Sequence, residues 1–399
     1  MSSDLAATQP IRLLSRPPAM TVFAAISLAA ILAGSSAPTP LYRLYQEAWA
    51  ISPLVLTIIF SVYAICLLFS LLTVGALSDY IGRRPVISVA LLLSAAGMVL
   101  FIEAESASWL IAARAVQGLA TGALTSTHSA TVLDTNRAKG PMINSITPFL
   151  GMALGALVTS GLVAYGPAPM QLIYVILLVL FVSLALVVWQ MPETASAQPG
   201  AWASLKPHVA VPPQARLPLL MATPVNIASW ALGGFYLSLM PSLFRVATGL
   251  TSPLLGGGIV ASLTLSGAVA VLLVRQWPAR RIIIVAAIAL MGGVAVTLAG
   301  VHEQMAPLML LGTIIAGLGL GAGFFGASRS IMPLAELHQR AGLLAAFYVQ
   351  SYLAFSLPVI LIGIAAPHLG LPVSTYIYGA VIILLALASL AATLLAKPR

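Results

Sequence analysis

The chain has 399 residues, of which 60% are hydrophobic and only 7% charged, and its formal net charge is +9. A soluble domain carries nearer ~25% charged residues; with a mean hydropathy of +1.05, the composition excludes a soluble globular protein and requires an integral membrane one. The single cysteine, Cys66, lies inside an apolar run, which excludes disulfides, CxxC redox chemistry and a cysteine-based metal site.

Apolar runs bounded by polar or Pro/Gly-rich breaks predict twelve membrane-spanning helices, each near the ~20 residues needed to cross a bilayer. In the first half they fall at 19–41, 53–77, 85–103, 108–132, 141–165 and 169–190. In the second half they fall at 216–242, 253–274, 281–301, 306–327, 341–366 and 373–396. The first run follows Arg12 and Arg16, as a signal peptide would, but it is too long for an h-region and reads as a retained helix. The longest polar break, 191–215, is rich in Pro and Ala. It reads as a linker between two bundles of six helices, 1–190 and 216–399, with Trp202 and Leu205 expected on the membrane surface.

The basic residues set the expected orientation. With both termini cytoplasmic, fifteen of the eighteen Lys and Arg fall on the cytoplasmic side, including Arg12, Arg16, Arg83, Arg84, Lys397 and Arg399. Arg43 and Arg245 fall outside, and Arg114 falls within a span. The basic surplus is therefore a topological signal and calls for no nucleic-acid partner.

Between the second and third spans stands Gly75-Ala-Leu-Ser-Asp79-Tyr-Ile-Gly82-Arg83-Arg84-Pro85. A turn this short forces its two helices antiparallel. The stretch resembles the loop between helices 2 and 3 of the major facilitator superfamily, G-x-L-[AS]-D-x-x-G-R-[RK], and every named position is filled. In the fourth span, Arg114-Ala-Val-Gln117-Gly118-Leu-Ala-Thr-Gly122 resembles that family's R-x-x-Q-G-x-x-x-G. In the fifth, Pro148 and Gly151 match the antiporter pattern G-P-x-x-G-G, while Thr147 and Met152 replace its flanking glycines. Gly151 and Gly155 also form a small-xxx-small face suited to close packing, so this segment reads as a hinge or as a packing surface.

The resemblance implies an all-α major facilitator fold, in the manner of the bacterial twelve-span drug and metabolite exporters of the inner membrane. It implies secondary transport by alternating access, a small-molecule substrate, protons as the coupling ion, no cofactor and no metal, and a carrier that can act as a monomer. It also implies a latch: Asp79 facing the start of the eleventh helix near Arg340, and Arg83 pairing with Asp134, with Arg84 beside them. The plain alternative is a solvated turn that serves topology alone.

A guanidinium in hydrocarbon is costly unless it meets a partner or a wet cavity. Arg114, Thr121, Thr125 and His128 share one helical stripe, with Gln117 nearby; this stripe is expected to line a water-filled path. The alternative is that helix-end carbonyls pin Arg114 and lock helices together. Asn226 and Trp230 on the seventh span, and Tyr348 and Tyr352 on the eleventh, are each one turn apart and are candidate pocket residues.

No acid falls deep within a span; Glu47, Asp79, Asp134 and Glu193 all lie at span ends or in loops. A cavity whose one deep charge is Arg114 favours neutral, amphipathic or anionic solutes over polycations. The expected function is proton-coupled export of such molecules, with a sugar or organic-acid symporter or uniporter as the alternative. The histidines build no reactive cluster and no phosphate-binding loop is present, so an enzyme or ATP-driven pump is not expected. A channel is not expected, because the two-half, latch-bearing layout serves alternating access rather than a continuous pore, and a membrane receptor would need neither latch nor buried arginine.

Overall fold

The structure, a computed structural model, describes residues 17–395. Arg12, Arg16, Lys397 and Arg399, used above for orientation, lie outside the described residues. Twelve long helices occur among them, labelled here in chain order. The first six are α1 Pro17–Ser36, α2 Pro53–Val74, α3 Arg83–Ile102, α4 Ala107–Thr135, α5 Gly140–Tyr165 and α6 Leu172–Val187. The last six are α7 Pro213–Ser238, α8 Pro253–Val274, α9 Ala279–His302, α10 Ala306–Ile331, α11 Arg340–Leu369 and α12 Leu371–Leu395.

The expected span 19–41 is shortened at its end. Pro38 and Pro40 withhold the amide donors a continuing helix needs, so α1 stops at Ser36, followed by a 3₁₀ turn, Thr39–Leu41, and a separate helix, Tyr42–Trp49. Helix α7 likewise bends by 66° into Met240–Thr248. Elsewhere proline marks beginnings: Pro53 and Pro253 open α2 and α8, where the missing N–H costs nothing. Pro148, Pro224 and Pro358 lie inside α5, α7 and α11.

Among the described residues ten helices are long and apolar enough to cross a membrane, and the bent pair makes an eleventh. The remaining long helix is α4, whose Arg114, Gln117, His128 and threonines lower its hydropathy. Large apolar side chains such as Phe69, Val89, Leu186, Leu220 and Leu361 are exposed on the outer surface. No aqueous solvent would tolerate so broad an apolar surface. This is a multi-pass membrane protein.

Within the first half, α4 packs on α1, α2 and α3, α1 on α5, and α3 on α6. Within the second half, α10 packs on α7, α8 and α9, while α12 lies against α7 and α9. Two seams join the halves, α5 with α8 and α2 with α11. Helix direction alternates, so the α2–α3 turn and the start of α1 share one end of the molecule (the turn end). The break after α1 and the bend after α7 share the other (the far end).

Candidate functional site

At the turn end, Gly82 adopts φ +97°, a conformation that L side chains rarely take. A Cβ there would also lie 2.8 Å from Glu193 Oε2. The reversal brings the amides of Arg83 and Arg84, the first residues of α3, onto the Glu193 carboxylate at 2.8 and 3.0 Å. A carboxylate on the free N–H groups of a helix start satisfies orphan donors and complements the dipole. Arg83 is buried, ion-paired to Asp79 and to Asp134 (3.1 Å), and its Nη1 donates to Ser78 at 2.7 Å. Arg84 turns away: it donates to the Trp189 carbonyl at 2.6 Å and lies over the Trp189 ring at 5.0 Å.

Asp79 spends its carboxylate on Arg83, and its backbone carbonyl accepts from Gln198 Nε2 at 3.1 Å. Among the described residues no hydrogen bond or ion pair joins Asp79 to its expected partner region, the first turn of α11. Arg340 Nε donates to the Ala335 carbonyl, and the Gly342 carbonyl accepts from Ala210 N. The 191–215 segment therefore touches both the turn and the start of α11. Its four-residue helix Ala201–Ser204 leaves Trp202 87% exposed. Gly75 directly follows the last residue of α2.

The α4 stripe is closed to solvent in this conformation. Arg114, Gln117, Thr121 and His128 are all buried and Thr125 is half-buried. The break in α1 is the reason: with no next turn to occupy them, its last carbonyls are free to accept. Arg114 Nη1 donates to the Ser35 carbonyl at 3.0 Å and to Gln117 Oε1 at 2.7 Å, while Nη2 donates to the Tyr42 hydroxyl at 3.0 Å. Gln117 Nε2 in turn donates to the Gly34 carbonyl at 2.8 Å. The guanidinium also lies 4.5 Å from the Tyr63 ring centre and 6.0 Å from that of Phe60. Among the described residues no carboxylate pairs with Arg114, so its charge stands uncompensated in the interior. Thr121 donates to the Gln117 carbonyl, and among the described residues neither His128 ring nitrogen has a partner.

Across the molecule, Asn226 is fully buried, its amide nitrogen donating to Gln350 at 3.0 Å and Ser351 at 2.9 Å. Trp230 meets Tyr352 at 4.9 Å between ring centres, Phe355 at 5.6 Å and Phe324 at 5.7 Å. Tyr348 lies 6.0 Å from Tyr352. The aromatic wall reaches the first half through Phe355 and Phe60, 4.9 Å apart. On α5, half-buried Pro148 stands inside the helix, and Gly151 and Gly155 press on the Ala29 and Ala33 carbonyls of α1. These contacts hold α5 to its own half, while α5 also forms the seam with α8.

Sequence reasoning missed three sets of contacts. At the far end Glu47 pairs with both Arg43 (2.8 Å) and Arg245 (3.2 Å), and Arg43 Nη1 donates to the Thr251 carbonyl at 2.8 Å. Also at the far end, Thr39 donates to the Leu237 carbonyl at 2.7 Å, from the break of α1 to the bend of α7. The third is Glu193 at the turn. Arg43 and Arg245 were visible as the two basic residues on the wrong side of the charge bias, and that was the available signal.

Residues 22–302 match the family model described as the Major Facilitator Superfamily. A search of curated proteins gives no match. Among solved structures, the chain is similar to a mutant form of the nucleoside transporter NupG, with 13% identity, TM-score 0.74, and coverage of 94% of this chain and 99% of that one. It is also similar to the human organic anion transporter MFSD10 (TETRAN), with 15% identity, TM-score 0.68, and coverage of 96% and 100%.

Proposed function

The chain belongs to the Major Facilitator Superfamily, and we propose that it is a secondary active transporter that works by alternating access and exports small neutral, amphipathic or anionic organic molecules in exchange for protons. In this reading all twelve long helices cross the cytoplasmic (inner) membrane as two six-helix bundles, 1–190 and 216–399, and the carrier acts as a monomer. The turn end faces the cytoplasm.

One observation carries the reading: the two ends are tied differently. Ion pairs bridge the halves at the far end, whereas at the turn end Arg83 finds its partners, Asp79 and Asp134, within the first half, and the halves meet there through Arg275 Nη1 and the Met142 sulfur at 3.4 Å. A carrier whose far end is closed, and whose turn has not engaged α11, is in one of two alternating states. In the other state, Asp79 would reach the first turn of α11 while Arg83 and Asp134 stay paired. Pro148, Gly151 and Gly155 of α5 would be the hinge. The unpaired Arg114 sets the substrate charge, since it raises the positive potential of the interior.

The test is transport into proteoliposomes under an imposed pH gradient, read with an internal pH dye across a panel of compounds. Proton movement that depends on a given compound supports coupling, and its direction separates antiport from symport. A panel that moves no protons while labelled solute still exchanges saturably would replace the antiporter with a uniporter. The incomplete G-P-x-x-G-G match on α5 is what favours that second reading.

A further inference from the structure

We propose that the substrate of this carrier is a planar aromatic solute bearing a hydrogen-bond acceptor, neutral or anionic, that seats on the aromatic wall around Trp230. The proposal rests on the carrier reading above and narrows it.

The wall comes from three helices of the second half: Trp230 on α7, Phe324 on α10, and Tyr348, Tyr352 and Phe355 on α11. The rings nearest Trp230 stand at 60°, 75° and 80° to the indole plane. Each is an edge-to-face neighbour, and none takes the parallel, stacked position that a flat ligand would adopt. Trp230, Phe324 and Tyr348 are only half-buried, so the wall keeps surface to offer.

Packing alone does not account for the polar atoms. A buried indole N–H ordinarily finds an acceptor, yet Trp230 Nε1 is buried with none among the described residues. One turn earlier on the same face, Asn226 is fully buried and its Oδ1 is also unpartnered. Two open polar atoms against an aromatic wall make an arrangement of the kind that holds a ring and reads its substituents.

Charge narrows the class further. Phe355 touches Phe60, and Phe60 and Tyr63 lie under the Arg114 guanidinium. The Arg114 η nitrogens are engaged by Ser35, Gln117 and Tyr42, and only its Nε is left without a partner among the described residues, so Arg114 is assigned a role chiefly through its field. In a low-dielectric interior an uncompensated charge acts over such distances. It repels cations and favours electron-rich or anionic rings.

The test is binding of a matched series to the purified full-length protein by titration calorimetry: naphthoate, its saturated analogue decahydronaphthoate, and naphthyl-trimethylammonium. Naphthoate is expected to bind about tenfold tighter than the saturated acid, with the cation weakest. Trp230→Phe, which keeps a ring and removes the N–H, is expected to weaken naphthoate about fivefold. Equal or tighter binding of decahydronaphthoate overturns the aromatic wall, tighter binding of the cation overturns the charge rule, and both comparisons need only the unaltered protein. If no naphthalene binds while another solute still exchanges saturably in proteoliposomes, the inference fails and the carrier reading stands. If nothing exchanges at all, both fail.

Discussion

The two ends of the molecule use the same chemistry, arginine against carboxylate, with opposite connectivity. At the far end Glu47 joins Arg43 of its own short helix to Arg245, 198 residues away in the second half. At the turn end Arg83 is buried, yet both its acids come from the first half, and the third acid nearby, Glu193, comes from the segment joining the halves. The buried cluster therefore shapes one bundle, and the exposed cluster ties two together. A strong ion pair placed within a rigid body cannot report on the motion of that body against another; a weak one placed across the seam can. Depth and connectivity, not the number of charges, decide which end acts as a gate in this conformation.

The largest effect should come from forcing the far seam apart by packing. Gly257 at the start of α8 lies so close to α5 that an added Cβ would collide with the Ser160 hydroxyl and the Ala156 carbonyl. Gly257→Leu inserts a side chain where none fits, and overpacking of this kind costs ~1–3 kcal/mol. Only the far-end-closed state suffers, so the maximal transport rate should fall by roughly tenfold. In a Cys66→Ser background, a cysteine placed at Ser238, which lines the small far-end chamber of about 40 Å³, should become more reactive to an impermeant maleimide. Unchanged labelling with an unchanged rate would show that the α5–α8 seam does not open.

How much of this was legible beforehand divides along the same line. The positions of the helices follow from local hydropathy, and α2, α5 and α8 begin within a residue or so of where the apolar runs begin. At the α2–α3 turn the motif named the residues and the Arg83–Asp134 partnership, but Asp79 was assigned to the start of α11 and not to Arg83, four residues on across the Gly82 reversal. The far-end cluster was not legible, since nothing local relates Glu47 to Arg245. The early end of α1 was half-legible. Pro38 and Pro40 announced a break, but not that the freed Ser35 and Gly34 carbonyls would be taken by Arg114 and Gln117. A wet path was therefore expected along a stripe that this conformation seals, because the acceptors came from a neighbouring helix whose geometry no motif encodes.

A smaller effect is expected from the turn end. Asp79→Asn removes one of the two acids on Arg83 and leaves Asp134 and Ser78 in place. The protein should insert and unfold as before, because the lost pair is half-exposed on the Asp79 side and such pairs are worth ~0.2–1 kcal/mol. If the carboxylate is needed at the α11 helix start when this end closes, transport should slow by about two- to fivefold. A mutant that retains the wild-type rate would reduce the turn to a topological signal.

The smallest effect, and the sharpest test of the contrast between ends, is Glu47→Gln. Both ion pairs of Glu47 are substantially exposed, its own side chain at 49% and its arginines at 35% and 38%. Each pair then contributes ~0.2–1 kcal/mol, so removing the charge should shift the equilibrium toward the far-end-open state by only about two- to fivefold. Salt supplies the control. Screening at about 1 M shrinks the Debye length to ~3 Å, so high salt should raise labelling at position 238 in the wild type and leave the mutant nearly unmoved. Neutral Gln still accepts and donates hydrogen bonds, so a salt response surviving in the mutant would assign it to other charges. Arg83, buried against its acids, should show no such salt dependence. If the buried cluster responded to salt and the exposed one did not, the division of labour between the ends would have to be reversed.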